Sequence, residues 1–165
     1  MNCEFDIVPM VSDADMDGKG YVHWKSWQEA YAGLIDREYL DGMSAERCIA
    51  MAHRWPENTL VAKDDSRVVG FACWGEGQGC DEGMGVVYAM YILAEYYGKG
   101  LGYRLMNATM EKLSNYEKVA LWVLKGNERA IRFYERYGFR FDGAEAEIVL
   151  GSPRTELRMH YRRDK

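Results

Sequence analysis

Between Val86 and Leu93 the sequence reads VVYAMYIL, and close behind it YYGKGLGYRLM runs from Tyr96 to Met106. A nearly continuous apolar run of that length predicts a buried strand. Glycines at 98, 100 and 102 come next, and Leu101, Leu105, Met106, Thr109 and Leu113 then point inward at helical spacing. A strand, a glycine turn and a helix in that order require a sheet covered by helices. They also place a helix N-terminus, with unpartnered amides and the positive end of its dipole, beside residues small enough for close backbone approach. A phosphate-bearing ligand suits such a loop, although a glycine-rich turn serves a purely structural role equally well.

The rest of the chain alternates element types. FDIV (Phe5–Val8) reads as a short strand. Tyr21, Trp24, Gln28, Tyr31 and Leu34 fall on one helical face, and Ser44 is placed to cap a second helix through Met51. TLVAKDDSRVVGFACWG predicts a hairpin turning at Asp64–Ser66. VALWVLK is a second buried strand, a helix follows from about Asn127 to Tyr137, and FRFDG and TELRMHYRR close the chain as strands. With no repeat, low-complexity tract or linker, residues 1–165 are expected to form a single α/β domain with a mixed sheet.

Composition narrows the function classes. The 165 residues are 48% hydrophobic, enough for one core. No run of eighteen apolar residues is present, and MNCEFDIVPM lacks the basic start and apolar centre of a signal peptide, so a cytoplasmic protein without a membrane partner is expected. Cys3, Cys48, Cys73 and Cys80 show no CxxC spacing and are expected to be reduced thiols, not metal ligands. The net charge of −5 argues against nucleic-acid binding, but it is unevenly spread. Residues 1–97 hold 7 Lys/Arg against 17 Asp/Glu, a balance of −10, whereas residues 98–140 hold 9 against 4, a balance of +5. That partition suits an anion in the middle of the chain and a cationic partner nearer its N-terminal half.

Three rival motifs fail. DADMDGKGYVHW spaces Asp13, Asp15, Asp17 and Gly18 like a calcium loop, but the twelfth position is Trp24 where a bidentate glutamate is needed. These aspartates are expected to form a polar turn before the first helix. A Walker loop requires GxxxxGK[ST], and here Lys99 lies between glycines. A Rossmann fingerprint counted from Gly98 meets Tyr103 at its third glycine.

The decisive stretch is LWVLKGNERAIRFYERYGF, Leu121 to Phe139, with Asn127, Ala130, Phe133–Tyr134 and Gly138–Phe139. Paired with the upstream GKGLG, it closely resembles the GCN5-related N-acetyltransferase (GNAT) family, and SWQEAYAGLI and EYLDGMSAERC resemble the first two helices of small bacterial members. The resemblance implies a mostly antiparallel mixed sheet of six or seven strands, flanked by helices and splayed between strands 4 and 5. It implies acetyl-coenzyme A as co-substrate, without a metal, and a small-molecule amine acceptor, in a monomer or homodimer. The cofactor-binding set it implies is the main chain of Met90, Tyr91, Ile92 and Leu93, the loop Gly98, Lys99, Gly100, Leu101, Gly102 and Tyr103, and Asn127, Ala130, Tyr134 and Arg136. Where the family carries Gln or Arg at the first loop position, this chain has Tyr97, so phosphate binding should lean on backbone amides and on Lys99, Arg104 or Arg136.

The resemblance also implies direct attack of an amine on the thioester, with a backbone N–H near Ile92 facing the oxyanion. The leaving thiolate needs a proton, and a phenol beside the sulfur can supply it, which assigns Tyr134 as general acid; packing in the stripe Ala130–Phe133–Tyr134–Tyr137 is the competing reading. The base is not legible: the fourth strand has no carboxylate, leaving Asp81, Glu82, Tyr88, His23, His53 or a water chain. Trp27, Tyr31 and Tyr88 are candidate acceptor-side residues, while Glu145, Glu147 and Glu156 read as surface. The acidic N-terminal half points to a small cationic amine such as a polyamine. Acetylation of a protein N-terminus or lysine, and a non-catalytic acetyl-coenzyme A-binding module, remain open alternatives.

Overall fold

A computed structural model describes residues 4–163; Cys3 lies outside them. The chain forms β1 (Phe5–Pro9), α1 (Asp13–Ala30), α2 (Arg37–Asp41), α3 (Ala45–Arg54), β2 (Thr59–Asp64), β3 (Arg67–Glu76) and β4 (Gly85–Ile92). It continues as α4 (Leu101–Lys112), β5 (Lys118–Leu124), α5 (Glu128–Tyr137), β6 (Arg140–Leu150) and β7 (Ser152–Arg162). Seven strands make one mixed sheet in the order β1-β2-β3-β4-β5-β7-β6.

One neighbour pair shapes the site. Strands β4 and β5 run parallel and pair only at Gly85↔Val119 and Val86↔Ala120. Beyond Val86 the two strands diverge, so the outer half of β4 keeps β3 on one side and leaves its other edge open. This is the expected splay. A bulge lies beside it: Cys73 pairs with Ala89 and Trp74 with Val87, so Tyr88 is the extra residue on β4. Tyr88 stands 56% exposed as a result.

The first helix departs from the sequence reading. Asp13, Asp15 and Asp17 are not a turn before the helix but part of its first turns. Ser12 caps it, its hydroxyl accepting from the Asp15 N–H while the Asp15 carboxylate accepts from the Ser12 N–H. Acidic residues at a helix N-terminus complement its dipole and close a capping box, and that preference prevails here over their turn-forming tendency. The inward row is Asp15, Lys19, Val22 and Ser26, while Tyr21 is exposed. Two glycines explain that choice of face. A Cβ on Gly20 would run into the Ile49 backbone of α3, and one on Gly18 would lie 2.7 Å from the Val68 Cβ of β3. Helix α1 thus seats on its smallest residues, and its aromatic side turns toward β4.

On α4 the expected inward residues Leu101, Leu105, Met106, Thr109 and Leu113 are all buried. The closing strands are longer than their sequence signal and form a β6–β7 hairpin whose register shifts between Phe141 and Glu145. Among the described residues, no helix is long and apolar enough to cross a membrane.

Candidate active site

Two cavities open at the splay. The larger, of about 620 Å³, lies between β4, the N-terminus of α4 and the face of α5. The smaller, of about 270 Å³, lies between the end of α1 and the strands β4, β5, β6 and β7. Tyr31, Val87, Tyr88, Tyr91 and Trp122 line both, so the two spaces meet across these residues.

The larger cavity gathers most of the cofactor set expected from sequence. Met90, Tyr91 and Ile92 of β4 line it, as do Gly98, Gly100, Leu101, Gly102 and Tyr103. Asn127, Ala130, Tyr134 and Arg136 face them from the α5 side. Two expected members do not line it: Leu93, whose side chain packs into the core and whose N–H donates to the Val69 carbonyl at 3.0 Å, and Lys99, which is exposed. Arg104 is also committed, donating from Nη2 to the Phe5 carbonyl at 2.9 Å.

The loop has the form an anion needs. Gly98 and Gly100 hold φ of +76° and +78°, where side chains are strained, and a Cβ on either would meet open space. Gly100 is the N-cap of α4 and has no side chain to satisfy the first amides; the first helical bond is Arg104 N–H to the Gly100 carbonyl. The N–H groups of Leu101, Gly102 and Tyr103 are therefore left for a ligand. Arg129, Arg132 and Arg136, at helical spacing on α5, supply a basic rim.

Two of those arginines were missed in the sequence, and Arg129 answers the question raised by Tyr97. Its guanidinium lies 3.4 Å from the Tyr97 ring centroid, stacked on the aromatic face. A cation therefore stands at the first loop position after all, delivered from α5. The signal was the i, i+3, i+7 spacing of three arginines on one helix.

Tyr134 lines the larger cavity next to its junction with the smaller. Among the described residues its hydroxyl has no hydrogen-bond partner, and burial, with Tyr31 close by, pushes its pKa well above the ordinary phenol value. It stays protonated at any physiological pH. Tyr31 and Tyr91 share a hydrogen bond of 3.1 Å between hydroxyls at the floor of the junction.

The smaller cavity is aromatic. Trp27, Tyr31, Tyr88, Tyr91 and Trp122 form much of its wall, which includes the expected acceptor-side residues Trp27, Tyr31 and Tyr88. One carboxylate lines it, that of Glu156 on β7. Burial raises the Glu156 pKa. The base candidates taken from sequence fare differently. Asp81 accepts from Trp122 Nε1 at 2.9 Å and pairs with Arg158 at 3.0 Å, and Glu82 lines neither cavity. His23 sits behind the site, stacked on Tyr91, and burial lowers its pKa to about 4; His53 pairs with Asp17 at 2.7 Å between α1 and α3. Tyr88 does line the cavities, but its hydroxyl donates to the Glu76 carbonyl at 2.6 Å.

Comparison with known proteins agrees with this geometry. Residues 21–139 match the model of the Acetyltransferase (GNAT) family. N-alpha-acetyltransferase 30 of Schizosaccharomyces pombe is 32% identical over 109 residues, covering 64% of this chain and 73% of that protein. Spermine/spermidine N(1)-acetyltransferase of Bacillus subtilis is 35% identical over 83 residues, covering 46% of this chain and 55% of that protein. Among solved structures, a paia N-acetyltransferase from Thermoplasma acidophilum in complex with coenzyme A superposes with a TM-score of 0.77 at 22% identity, over 97% of this chain and 99% of that one. A splayed seven-stranded sheet, a glycine loop at the head of α4 and a family match spanning both motifs lead to one assignment: the chain belongs to the GNAT family of acetyltransferases.

Proposed function

We propose that this acetyltransferase moves the acetyl group of acetyl-coenzyme A to the primary amine of a small cationic acceptor, a polyamine being the first candidate, by direct attack. The observation that carries this reading is the meeting of the two cavities across Tyr31, Val87, Tyr88, Tyr91 and Trp122. One space is long, basic at the α5 end and open to backbone amides, as a diphosphate with an extended arm requires. The other is small, aromatic and acidic, as an ammonium requires. The name of the Bacillus subtilis relative agrees with a polyamine, and that of the yeast relative with a protein N-terminus. The small size of the acceptor cavity favours the former.

In this reading residues 1–165 act as one N-acetyltransferase domain. Acetyl-coenzyme A supplies a thioester as the activated acyl donor. The Leu101, Gly102 and Tyr103 amides and the arginine rim of α5 hold its phosphates, and the open edge of β4 pairs with its arm. Tyr134 holds a proton at the place where the sulfur leaves. A proton donor there has no use in a non-catalytic module, which favours turnover.

The test is a thiol-release screen with acetyl-coenzyme A against spermidine, spermine, aminoglycosides, amino acids and N-terminal peptides. Spermidine or spermine is expected to show the highest kcat/KM, falling as ionic strength rises. Preference for a peptide N-terminus overturns the acceptor assignment, and absence of acetyl transfer to every amine overturns the function.

A further inference from the structure

Strand β7 presents Arg154, Glu156 and Arg158 on one face, because alternate residues of a strand share a face. The two arginines are already satisfied. Arg154 pairs with Asp36 at 2.9 Å, and Arg158 pairs with Asp81 at 3.0 Å and Asp142 at 2.6 Å. Glu156 stands between them and takes neither. Among the described residues its carboxylate has no hydrogen bond or ion pair, and it opens into the smaller cavity. A partly buried carboxylate without a partner is costly, and proteins rarely keep one without a ligand or a task for it.

The surroundings say which ligand. Two arginines face four carboxylates along this row (Asp36, Asp81, Asp142 and Glu156), with His160 at 3.3 Å from Asp142 at its end. The groups facing Glu156 from other elements are uncharged: Tyr31 at the end of α1, Tyr88 and Tyr91 on β4, and Trp122 on β5. On β6, Ala146 is its register partner, and Glu145 and Glu147 are exposed. The wall thus combines π faces with one negative charge, which selects a cation.

We infer that Glu156 is the ammonium site of the acceptor and the base of the reaction. This deepens the amine-transfer reading and rests on it. The carboxylate holds the incoming ammonium and takes one of its protons. The freed nitrogen then forms the N–C bond to the thioester carbonyl. As the C–S bond breaks, the sulfur takes the proton of Tyr134, and the second proton lost from nitrogen restores the Tyr134 hydroxyl. Glu156 returns its proton to water, so the balance is one amide, one thiol and one proton released. Tyr31 lines both cavities and so stands between the space of Glu156 and that of Tyr134.

The test compares wild type with Glu156→Gln and Glu156→Asp in four measurements. Calorimetry with coenzyme A should show equal affinity, because Glu156 lies outside the larger cavity. Quenching of Trp27 and Trp122 fluorescence by spermidine should reveal binding in wild type that weakens at least tenfold in Glu156→Gln. Single-turnover kcat/KM should fall about 10²–10³-fold in Glu156→Gln, with partial recovery in Glu156→Asp, and the acidic limb of the pH profile should disappear. That limb should lie above the ordinary glutamate value, because burial raises this carboxyl.

Thermal stability gives a readout that a structural glutamate would move the other way. A carboxyl raised by folding stabilises the protein only while protonated, an advantage present below its unfolded pKa and lost as pH rises through the folded one. At pH 7 the charge is a net cost, so Glu156→Gln should melt higher than wild type. Wild type that binds spermidine no better than a neutral polyol overturns the inference. So does Glu156→Gln with kcat/KM within threefold of wild type and an unchanged pH profile. Glu156-dependent spermidine binding without acetyl transfer upholds the ammonium site, and overturns both the base role and the amine-transfer reading.

Discussion

Tyr134→Phe isolates the acid step. The substitution removes one oxygen that has no hydrogen-bond partner among the described residues. The ring is held by what remains: it packs edge-on to Phe133 and Phe139, with centroids 5.6 and 6.0 Å away. Its backbone is pinned as well, because the Tyr134 carbonyl accepts from the N–H groups of both Gly138 and Phe139 at the end of α5. Stability should therefore change by no more than about 0.5 kcal/mol, and coenzyme A affinity should stay the same.

Turnover should not. One positioned acid contributes roughly 10²–10⁴-fold, which is about 2.7–5.4 kcal/mol of activation free energy at 1.36 kcal/mol per decade. The raised pKa has a second consequence. Because burial and Tyr31 keep the phenol neutral past its ordinary value of 10, wild type should show no alkaline limb from this group below that pH. The assay is single-turnover thiol release, which separates chemistry from product release. A Phe variant that binds coenzyme A normally and turns over within fivefold of wild type would reduce Tyr134 to packing.

Three further substitutions probe the parts around it. Gly100→Ala places a side chain at φ +78°, costing about 1–2 kcal/mol, and adds a methyl at the head of α4, where phosphate binding is proposed; calorimetry should show coenzyme A affinity lower by at least tenfold, while Gly143→Ala, equally strained at φ +89°, leaves it intact. Arg129→Gln removes the cation stacked on Tyr97 and should weaken coenzyme A about tenfold, a deficit that shrinks in high salt. Arg158→Met removes the guanidinium that pairs with both Asp81 and Asp142, leaving these largely buried carboxylates to the Trp122 indole, the Ala144 N–H and His160, and should lower stability by about 3–5 kcal/mol at pH 7 in urea titrations. Although burial opposes it, the Ala144 N–H, Arg158 and His160 hold the Asp142 carboxyl below its ordinary value, so that stabilisation is present above about pH 4 and lost as pH falls through the folded pKa. The gap between Arg158→Met and wild type should accordingly narrow in acid.

The residues that line the larger cavity were largely legible because one continuous stretch supplies most of them. Strand β4, the glycine loop, β5 and α5 follow one another between Gly85 and Tyr137, so their spacing in sequence maps directly onto their spacing around the cavity. Glycine at φ above zero and an asparagine cap, whose side chain accepts from the Ala130 N–H at 3.4 Å, are local requirements that leave local marks. The first helix was misjudged for the same reason in reverse. Asp13, Asp15 and Asp17 carry turn chemistry locally, and what makes them helical is a capping box together with glycines that fit α3 and β3, which only the tertiary fold reveals.

The smaller cavity, where the acceptor is proposed to bind, hides because its parts are scattered. Its wall joins Trp27 and Tyr31, Tyr88 and Tyr91, Trp122, and Glu156, and no window of the sequence holds more than two of these. Glu156 is the clearest case. On its strand it reads as one more charge in a row of alternating sign, the usual pattern of a solvated face. The structure separates the row by partner: Arg154 to Asp36 beyond α1, Arg158 to Asp81 and Asp142 at the β3–β4 connection and β6. Those pairs do two things at once. They tie the β3–β4 connection and the start of α2 to β7, and they consume the cations that would otherwise neutralise Glu156. A free carboxylate at the centre of the row follows from its neighbours being occupied, and the charge of the smaller cavity is set by residues that do not line it.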